Sequence, residues 1–434
     1  MSDFFSARSQ MAVTLGFHII FACVGMVMPF LMVASHGLWL KTKESVYYDM
    51  ARAWAKGVAI LFATGAVSGT VLSFELGLLW PGFMDHAGPI IGMPFSLEGT
   101  AFFIEAIAIG FYLYGWNKID PTIHWFSAWL VGISGILSGI FVVAANSWMN
   151  APSGFEWVNG HAININPIKA MFNEAWGSEA LHMTIAAFEA VGFAVVGIHA
   201  YFLLKEPNNV FHSKAIKIVI WFAVIAALLQ PISGDHSAKD IANRQPIKLA
   251  AAEADFKTQD YAPLRMGGIV DMAQQRVHAD IEIPGALSFL AFSHCDASVK
   301  GLDDFPRENW PPVPVVHYAF ELMVACGMFL AILGLIFVIR IFMKKDILSK
   351  KWFLKILVFS TPLGFIALEA GWTVTEVGRQ PWIIYGIMKT KDALTPMPGL
   401  IVPLITFSTL YIFLGVIVSW LMIRQFKAVS KKSY

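Results

Sequence analysis

Long runs in which nearly every position is apolar alternate along this chain with short polar connections. A membrane-crossing helix needs about 20 mostly apolar residues. Nine stretches meet that requirement: 11–40, 52–77, 94–115, 123–146, 179–204, 214–232, 314–342, 354–377 and 399–424. The sixth is short and is expected to stop at Pro231. The runs are apolar on nearly all sides, whereas strands of a membrane barrel alternate apolar and polar over about ten residues. The pattern therefore predicts an all-α polytopic membrane protein. The one long connection is 233–313, which holds a candidate amphipathic helix over 247–257 and the Pro-rich "NWPPVPVVH". An ordered connection of that length in a compact protein suggests a functional lid. The expected organisation is six spans in 1–232, an external loop at 233–313, three spans in 314–425 and a cytoplasmic tail at 426–434. No internal repeat of the kind that marks many transporters is visible.

Lysine and arginine in the short loops set the orientation. Lys41, Lys43 and Arg52 follow the first span, Lys118 the third, and Lys205, Lys214 and Lys217 the fifth. Arg340, Lys344, Lys345, Lys350, Lys351 and Lys355 follow the seventh, and Arg424, Lys427, Lys431 and Lys432 the ninth. Of the alternate loops, 78–93 has none, 147–178 only Lys169, and 378–398 Arg379, Lys389 and Lys391. The N-terminus is expected outside and the C-terminus in the cytoplasm.

Composition agrees. Of 434 residues, 57% are hydrophobic and 14% charged, against roughly 25% charged in soluble domains. A formal net charge of +1 gives no reason to expect a nucleic-acid partner. Cys23, Cys295 and Cys326 make neither a disulfide framework nor a CxxC metal pair. The stretch from Met11 to Leu40 is about twice the length of a signal-peptide core and lacks a basic leader, so no cleavable signal is expected.

Polar groups inside spans are costly and default to functional candidates. Here they are His18, Glu75, Glu98, Glu105, Ser138, His182, Glu189, His199, Glu321, Met323, Glu369 and Glu376. His18, His182 and Met323 come early in spans running inward, and Glu369 late in a span running outward. All four are thus expected in the outer half of the membrane. Two imidazoles, a thioether and a carboxylate at one level form an iron-ligand set of the kind that holds heme. Each also has an ordinary reading: a histidine bonded to a carbonyl, a methionine filling a gap, a carboxylate paired with Arg379. Glu98 and Glu105 are seven apart, hence on one face of a helix, which suits a proton relay or a transporter's ion site. The residues alone support two classes, a membrane heme redox enzyme and an ion-coupled transporter.

The block "GWTVTEVGRQPW" (Gly371–Trp382) resembles subunit I of the cytochrome bd quinol oxidase family. So do "ARSQMAVTLGFH" (Ala7–His18), "FSLEGTAFFIEA" (Phe95–Ala106), "AANSWMNAP" (Ala144–Pro152), "SEALH" (Ser178–His182), "KLAAAEA" (Lys248–Ala254) and "LMVACG" (Leu322–Gly327). The similarity runs in order from about residue 4 to 425. The resemblance implies a low-spin heme b on His182 and Met323. It implies a high-spin heme b and a heme d (or a third heme b) on His18 and Glu369, the assignment between these two being open. Glu98 matches an acid near the oxygen-reacting heme, Glu105 and Ser138 match proton-path positions, and Arg8 and Arg379 match arginines near heme propionates. Lys248 and Glu253 match quinol-linked residues, placing the quinol site under the outer loop. That loop lacks the long insertion of some members, as in the short-loop branch that cyanide-insensitive oxidases also resemble.

The implied activity is oxidation of membrane quinol at the outer face and reduction of O2 to water, with protons drawn from the cytoplasm. A relative carrying only heme b, with little O2 reduction, is the alternative within redox chemistry. The implied partners are an all-helical subunit II, a possible small accessory subunit and the lipid bilayer, in a bacterial or archaeal cytoplasmic (inner) membrane. Two departures stand out. Glu321 occupies a position where many relatives carry arginine, and the Glu98–Glu105 spacing is one residue shorter than in some members.

Overall fold

A computed structural model describes residues 2–158, 160–344 and 346–430. Among these, nine helices are long and apolar enough to cross a membrane. Helices α1 (Asp3–Thr42), α2 (Ser45–Leu79), α3 (Pro81–Tyr114) and α4 (Pro121–Asn150) come first. A hairpin (156–158 with 161–163) and the short α5 (Pro167–Met171) lead into α6 (Trp176–Lys205) and α7 (Val210–Arg244). The long connection begins with α8 (Pro246–Ala252) and includes α9 (Ala286–Phe292). The bundle closes with α10 (Val313–Phe342), α11 (Lys351–Ser360), α12 (Leu363–Val377) and α13 (Ile401–Ser430).

The starts follow local chemistry. Proline stands at the first turn of α3, α4, α5, α8 and α10, where its missing N–H is not needed. Asp120 caps α4 by accepting from Thr122 N and Ile123 N at 2.8 and 3.2 Å. α1 is the most enclosed span and α13 the least, so α1 is the axle on which α2, α4, α6 and α13 pack. Exposed side chains such as Phe74, Phe103, Ile107 and Phe413 form the apolar exterior that a bilayer solvates.

Several boundaries differ from the sequence expectation. The third span starts at Pro81, inside the stretch 78–93 expected as a loop. The sixth span does not stop at Pro231. α7 runs through it to Arg244, because neighbouring groups can satisfy the backbone a proline frees. Its extension is held by i,i+4 pairs, Asp235 with Lys239 and Asp240 with Arg244. The helix expected over 247–257 is only α8, ending at Ala252. The eighth span is broken into α11 and α12 at Thr361–Pro362.

The segment after α7 folds on the end of the bundle. Strand pairs join 264–266 to 281–283 and 269–271 to 276–278. A small core of Ile247, Ala250, Ala251, Phe256 and Leu302 packs on Val313 and Val316 of α10 and Val374 of α12. The loop is thus fastened to the two helices that carry Met323 and Glu369.

Candidate functional site

His18 lies on α1 against α2. Its Nδ1 is 3.0 Å from Ser68 Oγ. The Ser68 hydroxyl points its own hydrogen at the carbonyls of Thr64 or Gly65, so it accepts from His18 Nδ1–H. That fixes the tautomer with Nε2 unprotonated, the form that ligates a metal. Gly69 makes room for the ring: a Cβ there would lie 2.9 Å from His18 Cε1. His182 on α6 is arranged similarly, its Nδ1 3.1 Å from Ser233 Oγ of α7. The Gln230 amide lies 3.1 Å from its Nε2.

Met323 on α10 rests against Gly371 of α12, where a Cβ would sit 2.8 Å from its sulfur. Two residues before Gly371, Glu369 faces Gly16, with a Cβ there 3.3 Å from its Oε2. Its Oε1 is buried with no hydrogen-bond partner. Gly16 is two residues from His18, so His18, Glu369 and Met323 lie within about a turn of one level. The donor set fits heme: imidazole held through Nδ1, a thioether beside a glycine, and a carboxylate oxygen left unsatisfied.

Glu105 of α3 is buried between α1 and α4, its Oε1 3.3 Å from a Cβ built on Gly25 and its Cδ 3.5 Å from one on Gly135. Ser138 follows Gly135 on α4 by about one turn. Glu98 is half-buried two turns back along α3. Among the described residues no hydrogen bond joins Glu98, Glu105 and Ser138. Arg8 is half-buried, its guanidinium 5.5 Å from the centroid of the Phe4 ring. The two arginines therefore differ, because Arg379 is 2% exposed and sits in a polar knot.

Asn150 is the centre of that knot. Its Oδ1 accepts from Lys248 Nζ at 2.9 Å, Arg379 Nη1 at 3.3 Å and Gln245 Nε2 at 3.3 Å. Its Nδ2 donates to Glu179 Oε1 at 3.2 Å. Arg379 Nη2 donates to Glu376 Oε2 at 2.5 Å, and Asn146 donates to the other oxygen of Glu376. Four segments far apart in sequence thus join Lys248 of the loop to the GRQPW block. Asn150, Glu179 and Gln245 carry no site role in the sequence analysis, and Glu376 stands there only among the polar groups inside spans. Asn150, Glu179 and Glu376 lie inside quoted blocks, but no spacing signals that they converge.

Lys248 and Glu253 do not touch. Lys248 is 3% exposed. Burial first, then the Arg379 charge, holds its ammonium well below the usual lysine range. Glu253 is equally buried, with Oε2 unpartnered. Burial first, then Asp255 and Glu321, pushes its carboxyl up to about 8. Ala254 beside it adopts φ 51°, a left-handed backbone costly for a residue with a Cβ, of the kind that clusters at functional sites. It turns the chain so that Asp255 N donates to Ala250 O at 2.7 Å. Asp255 is held by Arg265 at 2.6 Å. Glu321 accepts from Gly267 N at 3.0 Å, and the Tyr318 hydroxyl from Val270 N at 3.0 Å. α10 therefore ties down the loop hairpin through Glu321 and Tyr318.

The model of the cytochrome bd terminal oxidase subunit I family matches residues 6–430. A Bacillus subtilis (strain 168) protein with the provisional name cytochrome bd menaquinol oxidase subunit I is 36% identical, over 98% of this chain and 97% of that protein. Cytochrome bd ubiquinol oxidase subunit 1 of the same organism is 32% identical, over 98% and 94%. The solved bd oxidase from Geobacillus thermodenitrificans superposes with a TM-score of 0.93 at 37% identity, covering 98% of this chain and 99% of that one. On the family model, the two relatives and the shared fold together, the chain is a member of the cytochrome bd terminal oxidase subunit I family.

Proposed function

We propose that this chain is the heme-bearing subunit that oxidises membrane quinol beneath the loop and reduces O2 to water. Membership of a family of respiratory quinol oxidases supports the reaction class and sets the transporter reading aside. Family members work with a second subunit. The observation that carries the site is the pair of buried groups on the loop, Glu253 with an unpartnered oxygen and Lys248 joined through Asn150 to Arg379.

The proposed cofactors are a low-spin heme b on His182 and Met323, and a high-spin heme b and a heme d on His18 and Glu369. When bound, the hemes supply one-electron transfer and the iron at which O2 is reduced. The chain supplies the rest. Ser68 and Ser233 orient the imidazoles. Arg379 and Arg8 would pair with propionates, a guanidinium–carboxylate pair being strong where water is scarce. Quinol oxidation releases two protons as well as two electrons. Glu253, with a free oxygen and a pKa near working pH, is suited to accept one. Lys248 can hold the quinol oxygen in its protonated state.

A second reading of the carboxylate ligand rests on one observation. Ligating carboxylates are themselves usually hydrogen-bonded. Glu376, seven residues from Glu369 and so on the same face of α12, is the one already braced by Arg379 and Asn146.

Water formation consumes four protons per O2. Drawing them from the cytoplasm makes turnover electrogenic without a pump. Glu105 and Ser138, in the seam of α1, α3 and α4, are the proposed inner route, delivering toward Glu98. The proposed setting is a bacterial or archaeal cytoplasmic membrane, N-terminus outside.

Glu253→Gln tests the quinol site. Quinol-driven oxygen uptake should fall at least about tenfold, the lower end of what a general base contributes. Oxygen binding to the chemically reduced enzyme should be unchanged. Unchanged uptake removes Glu253 from the site.

A further inference from the structure

Glu253 is poorly placed to hand a proton straight to water. It is 3% exposed, and its Oε2 is sealed and unpartnered. A base that turns over must be emptied between quinols, so its neighbours decide where the proton goes. Two acids bear on its carboxyl, Asp255 and Glu321, together with one cation, Arg265. Glu321 is occupied with Gly267 N. Asp255 is arranged differently.

Asp255 stands two residues on, beyond the left-handed turn at Ala254, and is 1% exposed. Its Oδ1 accepts from Arg265 Nη1 at 2.6 Å and from Gln259 Nε2 at 3.1 Å. Its Oδ2 has no partner. The carboxylate is thus held by one oxygen and bare at the other. Asp303 also bears on it, but is engaged by Thr258 N and Oγ1 at 2.8 and 3.1 Å. Burial raises the Asp255 carboxyl against the pull of Arg265, which narrows its distance from Glu253 in proton affinity.

Arg265 has carboxylates to spare. Its Nε faces Asp280 Oδ2 at 3.3 Å and Glu282 Oε1 at 3.2 Å. Glu282 sits directly across the strand pair, with 53% of its side chain exposed. A guanidinium withdrawn from water and stripped of its partner is costly. With Asp280 and Glu282 in place, Asp255 can take a proton without leaving Arg265 unpaired. Neighbouring buried carboxylates also resist double ionisation, so one proton shared between Glu253 and Asp255 is the favoured count. The groups then run from the sealed interior to the surface. We propose that Asp255 is the proton exit of the quinol site, taking the proton from Glu253 and releasing it at the outer surface beside Asp280 and Glu282. The O–H bond of Glu253 breaks, one forms on Asp255 Oδ2, and the proton passes on to water; no electron moves in this step. The proposal rests on the reading of Glu253 as the base that serves quinol.

Steady-state quinol oxidation by the purified complex tests the proposal, with KM and kcat read separately. Asp255→Ala should lower kcat at least about tenfold, the lower end of what a proton-transfer group contributes, and leave KM for quinol within about twofold. Formate added outside should restore much of the lost kcat, because a small carboxylate can take the proton in the space the side chain leaves. Asp255→Glu, which keeps a carboxyl, should retain part of the rate without formate. Oxygen binding to the chemically reduced complex should be unchanged in each variant. Wild-type kcat in Asp255→Ala, with Glu253→Gln still slow, overturns the exit and keeps the quinol reading. Wild-type rates in both overturn the quinol reading itself. A loss that neither formate nor Asp255→Glu relieves makes Asp255 a brace for the loop and overturns the proposal. A larger loss of kcat in Glu321→Gln than in Asp255→Ala moves the exit to α10 and also overturns it. If Asp255→Ala fails to assemble, Asp255→Asn, which can still accept from Arg265 and Gln259 but cannot take up the proton, carries the same kcat test.

Discussion

Gly371→Ala separates a space kept open for the Met323 sulfur from a glycine that merely happens to be there. In an exposed helix interior, alanine is favoured over glycine by roughly 0.5–1 kcal/mol. Gly77 on α2 is such a case, with nothing within 4 Å of a built Cβ, so Gly77→Ala should be neutral or slightly stabilising. At Gly371 the new methyl would stand 2.8 Å from Met323 Sδ, and at Gly69 it would stand 2.9 Å from His18 Cε1. Overpacking of that kind costs about 1–3 kcal/mol, which outweighs the propensity gain. The two sites should then diverge. The Met323 thioether is flexible and swings away, so Gly371→Ala should disturb the low-spin heme spectrum and its midpoint potential with modest loss of stability. The His18 imidazole is rigid and tied to Ser68, so Gly69→Ala should leave the low-spin spectrum alone and reduce high-spin heme content. Reduced-minus-oxidised spectra, potentiometric titration and thermal unfolding of the purified complex read all three variants. If Gly371→Ala and Gly69→Ala both behave like Gly77→Ala, neither residue is held for a ligand and the heme assignment built on them fails.

The Glu253 carboxyl carries two pH dependences of opposite sign. Its folded pKa near 8 exceeds the ordinary 4.5, so the folded chain keeps a proton the unfolded chain releases, and this contribution to stability falls as pH rises from about 4.5 through 8. The quinol-oxidation rate should instead rise through about 8 as the carboxylate frees, and Glu253→Gln should flatten both profiles. Glu321→Ala removes the acceptor for Gly267 N and should speed hydrogen exchange and proteolysis in 264–283, raising KM for quinol more than it lowers kcat; unchanged protection there removes the tether. Glu369→Gln and Glu376→Gln decide the carboxylate ligand: the variant that loses a high-spin heme carries the iron, and the other should alter only its potential. Equal, full heme content in both rejects a carboxylate ligand.

Much of the architecture was legible because a bilayer demands long apolar runs, and nine are present. Their ends were less legible, since ends are set by neighbours. Pro231 reads as a stop, yet α7 continues because Ser233 is engaged by His182 and ion pairs hold the exposed turns beyond it. The stretch 78–93 reads as a loop, yet α3 starts at Pro81 and accommodates Pro89 and Pro94. His18, His182 and Glu369 stand out in sequence because each is a rare polar residue in an apolar span, whereas Met323, one of 19 methionines, does not. The knot around Asn150 does not stand out either, because its hydrogen bonds join residues as much as 230 apart in sequence and asparagine near a helix end is ordinary. Glu321 reads in the sequence only as a polar group in a span and a departure from arginine. The structure shows a carboxylate holding a backbone N–H of the loop, which only the folded hairpin reveals.

The most direct test combines pyridine hemochrome analysis with oxygen uptake on one preparation of the purified complex. The account predicts heme b and heme d in the hemochrome, and uptake driven by added quinol that stops when quinol is withheld. Heme b alone with slow uptake would point to the b-only relative, and a colourless, fully folded complex that consumes no oxygen would contradict the account.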